Sequence, residues 1–240
     1  MRRIWGLIPL LLLGASVMAD DEFTLYELLA PDSHRFAITY DVTTAKEGDR
    51  FFLNPIREGS IASDERVADQ ASGKPLKWEI VTGKQAREAG LLGERAFGRA
   101  QRSVSSTRDA GSIPASANIE DSRAAELARI REDEARFVKV ELAGPVPKDG
   151  QRRIRIFKTY TDPKSYYAEG DRIVFDRGLG IRRNAVILPA GYELVGCSVP
   201  AIVSTEADGR VKASFVNDRD DALPVKITGR RRAGAARGAR

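Results

Sequence analysis

The chain has 240 residues, with 39 basic and 34 acidic side chains, one histidine and one cysteine. A single histidine excludes an HExxH zinc site, a paired-histidine metal site and a two-histidine relay. A single cysteine, Cys197, excludes an internal disulfide. The formal charge of +5 is terminal decoration: Arg2 and Arg3 open the chain, and Arg230, Arg231, Arg232, Arg237 and Arg240 close it, while every acidic residue lies between Asp20 and Gly229. The body is close to neutral, so no basic face for nucleic acid is expected.

The first nineteen residues have the three parts of a secretory leader. Arg2 and Arg3 give a positive start, Ile4 to Val17 carries no charge, and Val17-Met18-Ala19 places compact residues at a cleavage site. The apolar run is too short to span a bilayer, which takes about 20 residues. The expectation is an exported protein, periplasmic or secreted, whose mature form begins at Asp20 and has no transmembrane span.

Two blocks with strand character follow. In the first, Phe36, Ile38, Tyr40 and Val42 alternate with Ala37, Thr39 and Asp41, the period of a half-buried strand. Arg50 to Leu53 is a shorter run. Leu76, Trp78 and Ile80 alternate after a turn at Ser72-Gly73. Between the blocks, about 90–136, period two is lost. Gly98 to Ala117 is rich in Arg, Ser, Ala and Gly, and its composition predicts disorder. Asn118 offers a helix cap with an acid three residues on, and Ala124, Leu127 and Ile130 follow at helical spacing. The pattern predicts one peripheral helix over about 119–136.

The second block is denser. Val138, Val140 and Leu142 alternate, then Ile154 and Ile156, then Arg172 to Phe175. Ala185 to Leu188 and Tyr192 to Val195 flank the turn Pro189-Ala190-Gly191. Ile202 to Thr205 and Val211 to Val216 flank Asp208-Gly209, a strong hairpin signal. Leu223 to Thr228 closes the set, and residues 229–240 form a basic, disordered tail. Nine or ten short strands with frequent turns predict a mainly β fold over 20–228, an antiparallel β-sandwich of immunoglobulin-like type, carrying the 90–136 insertion.

No catalytic constellation stands out. A Ser-His-Asp triad would have to use His34, and Ser60 lacks the strand–turn–helix setting of a nucleophile elbow. Gly178-Leu179-Gly180 lacks the third glycine of a dinucleotide fingerprint. Pro163 breaks the helix that a Tyr160/Lys164 dehydrogenase pair would require. No cofactor and no metal ligand set is expected. The stretch from Lys158 to Arg183 interleaves aromatic rings with fixed charges, and a loop of that composition can bind sugars or peptides by stacking and charge-assisted hydrogen bonds. Lys158, Tyr160, Asp162, Tyr166 and Arg177 are its candidate ligand contacts. The same tyrosines could instead cover the end of a sandwich, and Asp–Arg pairs could pin a turn.

The run Leu179-Gly180-Ile181-Arg182-Arg183-Asn184-Ala185-Val186-Ile187-Leu188-Pro189-Ala190-Gly191-Tyr192-Glu193-Leu194, with Val199-Pro200 and Asp208-Gly209-Arg210 after it, resembles exported bacterial β-rich proteins of unassigned function. It is also similar to the N-terminal β-sandwich domain of gluzincin zinc aminopeptidases, where a strand, a Pro-x-Gly-Tyr turn and a hairpin close the sandwich ahead of the catalytic domain. The likeness covers the last third of the chain. No HExxH domain lies within these residues, so the resemblance implies a fold and no peptidase activity. The expected function is a non-catalytic binding or structural module of the cell envelope, with an envelope protein, peptide or glycan as partner. The alternative is an enzyme of unfamiliar type using polar groups of the 158–183 stretch.

Overall fold

The computed structural model describes residues 21–92, 132–219 and 221–233. The expected leader, most of the 90–136 insertion with its expected helix, and residues 234–240 of the expected tail lie outside the described residues. Fourteen strands are described where nine or ten were expected. The first block holds β1 (Phe23–Leu28), β2 (Arg35–Thr44), β3 (Phe51–Ile56), β4 (Ile61–Asp69) and β5 (Trp78–Thr82). The second holds β6 (Arg136–Glu141), β7 (Arg152–Thr161), β8 (Tyr166–Glu169), β9 (Arg172–Leu179) and β10 (Arg183–Ile187). After them come β11 (Tyr192–Cys197), β12 (Ile202–Thr205), β13 (Val211–Val216) and β14 (Leu223–Arg231).

The fold is mainly β and largely antiparallel. Seven strands form one sheet in the order β12-β13-β10-β1-β2-β7-β4. The order β11-β14-β9-β8 makes a second sheet, and β3-β6-β5 a third. All three contribute side chains to one buried cluster. The antiparallel expectation needs one correction: β1 runs parallel to β10, from Phe23 opposite Arg183 to Glu27 opposite Ile187. A parallel pair cannot be closed by a tight hairpin, so it joins segments far apart in the chain.

Alternation explains which faces are buried. On β2, Phe36, Ile38, Tyr40 and Val42 point inward. On β7, Ile154, Ile156, Lys158 and Tyr160 do the same. Aromatic contacts join the sheets: the Phe36 ring meets Phe175 of β9 edge-on at 5.5 Å, Tyr26 meets Phe175 at 5.5 Å, and Tyr160 meets Phe36 at 6.1 Å. Such pairs add about 0.5–1.5 kcal/mol each beyond the area they bury.

The ends of the insertion are described. A short helix, α1 (Gly83–Glu88), follows β5 directly. Thr82 Oγ1 accepts from Gln85 N and Gln85 Oε1 accepts from Thr82 N, a capping box. Residues 132–134 are helical, but Arg136, the expected end of the 119–136 helix, already opens β6. Three residues of the expected 229–240 tail lie in a strand. Gly229, Arg230 and Arg231 belong to β14, where Arg230 pairs with Glu193 at 2.6 Å and the Arg231 guanidinium lies 5.3 Å above the Tyr192 ring. Partners on β11 hold these arginines in the sheet. Among the described residues, no helix is long and apolar enough to cross a membrane.

Candidate functional site

The five candidate residues do gather, but inside the sandwich. Lys158 and Tyr160 lie on β7, Tyr166 on β8 and Arg177 on β9, with only Asp162 in the turn between β7 and β8. All five are buried. The expected ligand-facing loop is therefore two strand ends and a tight turn. The correction has a physical cause: each charge or hydroxyl meets a partner from a distant part of the chain.

Asp162 is the hub. Arg177 Nη1 donates to Asp162 Oδ2 at 3.0 Å. Ser165 Oγ donates to the same oxygen at 2.7 Å, and Ser60 Oγ at 3.2 Å. The backbone N–H groups of Lys164 and Ser165 donate to Oδ1. Burial pushes the Asp162 carboxyl up, yet the Ser165 hydrogen bond and the Arg177 charge outweigh it, and its pKa lies below the ordinary carboxylate value. The Arg177 guanidinium also sits 5.4 Å from the ring centres of Phe36 and Tyr160. A buried arginine paired with a carboxylate and faced by two rings meets the usual requirement for burying a charge.

The tyrosines act as struts. Tyr166 Oη donates to the Leu29 carbonyl at 2.8 Å, and burial pushes its phenol well above the ordinary value. Tyr160 Oη accepts from Arg57 N at 3.3 Å. Lys158 Nζ donates to Asn54 Oδ1 at 2.6 Å and lies 5.0 Å from the Tyr160 ring centre.

Several members of this cluster had no signal in the sequence. Arg57, Ser60 and Asn54 come from β3 and the β3–β4 turn, about 100 residues before their partners, and nothing in their local pattern marks them. Arg57 is half-buried, and both burial and the nearby Arg177 charge lower its pKa. Two surface pockets lie elsewhere. One is lined by Asp176, Ser198, Arg219 and Lys226 among others, the second by Asp69, Gln70, Gln151 and Arg152 among others. None of the five candidates lines either. Among the described residues, no group of three or more His, Cys, Asp or Glu side chains is placed to hold a metal ion.

Exposed apolar side chains mark a different place. β12 is the edge of the seven-stranded sheet, all four of its residues are exposed, and Ile202 and Val203 are 77% and 55% exposed. β11, which precedes it in the chain, is the edge of the four-stranded sheet and exposes Val195. The chain crosses from one sheet to the other between these two edges.

No protein-family model matches this chain, and no curated protein matches it. Among solved structures, it is similar to the M1 zinc metallopeptidase from Deinococcus radiodurans, at 12% identity and a TM-score of 0.43, over 87% of this chain and 41% of that one. It is also similar to an aminopeptidase N family protein from Idiomarina loihiensis, at 8% identity and a TM-score of 0.41, over 86% of this chain and 29% of that one. The chain thus spans less than half the length of either. The sandwich described above stands on its own strand pairing and core.

Proposed function

We propose that the protein is an exported, non-catalytic β-sandwich module that binds an envelope protein by adding an extended segment of it to the β12 edge. The observation that supports this reading is the exposed, uncharged edge strand Ile202–Thr205. Edge strands are commonly guarded by charge, proline or a bulge, because their open hydrogen-bonding groups accept another strand. β12 carries none of these within its four residues, and strand addition is an established mode of peptide recognition. The groups first expected to contact a ligand, Lys158, Tyr160, Asp162, Tyr166 and Arg177, have in this reading the task of holding the sandwich in shape.

The test is capture from envelope extract with the mature protein as bait, run beside Ile202→Lys and Val203→Lys variants. Amide hydrogen exchange is then measured on the captured complex. The reading expects both substitutions to reduce capture at unchanged melting temperature, and β12 amides to become protected in the complex. Equal capture by all three proteins, or protection confined to other strands, overturns it.

A further inference from the structure

A lysine buried in a sandwich core is unusual, and burying its charge without a counter-charge is costly. Lys158 is 7% exposed and Asn54 is 7% exposed. They come from different sheets, β7 and β3, and their side chains touch: Nζ donates to Oδ1 at 2.6 Å. A neutral carboxamide satisfies one N–H of the ammonium but does not neutralise it.

The neighbouring strand supplies an acid. β4 pairs with β7, with Ser63 opposite Thr159 and Arg66 opposite Phe157, so Asp64 and Glu65 form a bulge across from Lys158. Arg66 stacks on Phe157 on the outer face, and Asp64 turns outward to Arg35. Val67 and Ala62 lie opposite the inward residues Ile156 and Tyr160. Alternation from Val67 therefore puts Glu65 on the inner face, the face of Lys158. Its Oε1 is buried with no hydrogen-bond partner among the described residues.

We propose that Lys158 and Asn54 become joined by an intramolecular amide crosslink, with loss of ammonia and with Glu65 carrying the proton. An ammonium nitrogen has no lone pair to attack with, so a base must first take a proton from Nζ. The Glu65 carboxylate, on the same face but not paired with Nζ in the structure, is that base once it swings in from the bulge. The free amine attacks Asn54 Cγ, and the new C–N bond forms. The Glu65 carboxyl passes that proton to Nδ2, its carboxylate takes the second proton from the attacking nitrogen, the Cγ–Nδ2 bond breaks, and ammonia leaves, carrying that second proton away as ammonium. No oxidant, cofactor or second substrate enters the balance. The product buries a neutral amide where a charge had been. It also ties β3 to β7 in a chain whose one cysteine cannot form a disulfide within it.

Mass spectrometry of the intact mature protein tests this. The wild type is expected to be lighter than its sequence by one ammonia, and a denaturing tryptic digest to contain a branched peptide joining the Asn54 and Lys158 fragments. Lys158→Arg and Asn54→Ala are expected to show full mass, as is Glu65→Gln, which keeps the size of the side chain but cannot carry the proton. Full mass in the wild type, with Asn54 and Lys158 in separate linear peptides, overturns the proposal. So does an ammonia loss without the branched peptide, which would mark a succinimide at some other asparagine. A branched peptide that persists in Glu65→Gln overturns the role of Glu65. The wild-type measurement decides the crosslink even if a variant fails to fold.

Discussion

Arg177 and Asp162 face each other at 3.0 Å with side chains 7% and 8% exposed, one from β9 and the other from the turn that leads into β8. Each makes the other's burial tolerable. Removing one partner leaves the second charge uncompensated, at a cost of about 3–5 kcal/mol. Asp162→Ala is therefore expected to lower stability by that order, measured from urea midpoints at neutral pH. A cost under about 1 kcal/mol would mean that water reaches Arg177 freely.

The same carboxylate gives a pH dependence with a definite sign. Its folded pKa is depressed, chiefly by Ser165 and Arg177 working against burial. Its contribution is then fully present above the unfolded value of about 4 and is lost as pH falls through the lower folded value. Stability of the wild type should fall more steeply than that of Asp162→Asn between about pH 4 and the folded pKa. Parallel pH profiles for the two proteins would assign the acid sensitivity to other carboxylates.

Tyr166 offers a milder change. Tyr166→Phe keeps the ring and removes the hydrogen bond to Leu29, leaving that carbonyl short of a donor. The expected loss is about 1–2 kcal/mol in thermal or urea unfolding. In an alkaline absorbance titration, one phenol fewer should ionise late in the variant than in the wild type, because burial holds the Tyr166 phenol high.

Gly83 opens α1, and a Cβ there would run into the backbone oxygen of Glu132. Its own N–H donates to the Ala135 carbonyl at 2.7 Å, so the two ends of the insertion meet at this point. Gly83→Ala must push them apart and should cost about 1–3 kcal/mol, as overpacking does. Limited proteolysis should cut the variant faster at 83–92. Unchanged cutting and stability would show that the backbone at 132 can yield.

The leader makes a prediction of its own. Expressed in a secreting host, the mature protein should begin at Asp20 by N-terminal sequencing. An intact Met1 on the purified protein would remove the export reading.

Local pattern carried much of the fold. β2 was legible because its inward residues are all apolar, and the β12–β13 hairpin because Asp208-Gly209 sits between two alternating runs. β4 was not, since as an edge strand it buries only Val67 and Asp69 and otherwise looks polar. β1 was missed because one of its three inward residues is Thr24 and the strand is short. The burial of the candidate site residues was not legible for a different reason. A charged or hydroxylated side chain looks solvent-seeking until its partner is known. Lys158 meets Asn54, and Asp162 meets Ser60 besides the nearer Ser165 and Arg177; Asn54 and Ser60 stand more than 100 positions earlier. One-dimensional pattern carries no record of such pairs.

The parallel union of β1 with β10 has a consequence for timing. β1 occupies the middle of the seven-stranded sheet, yet one of its two neighbours is made about 160 residues later, and pairings of such long range form slowly. A nascent chain can close the β1–β2 hairpin early, but the far half of the sheet must wait until β10 has been synthesised. For most of its synthesis the seven-stranded sheet therefore stays divided, with β1 paired on one side only.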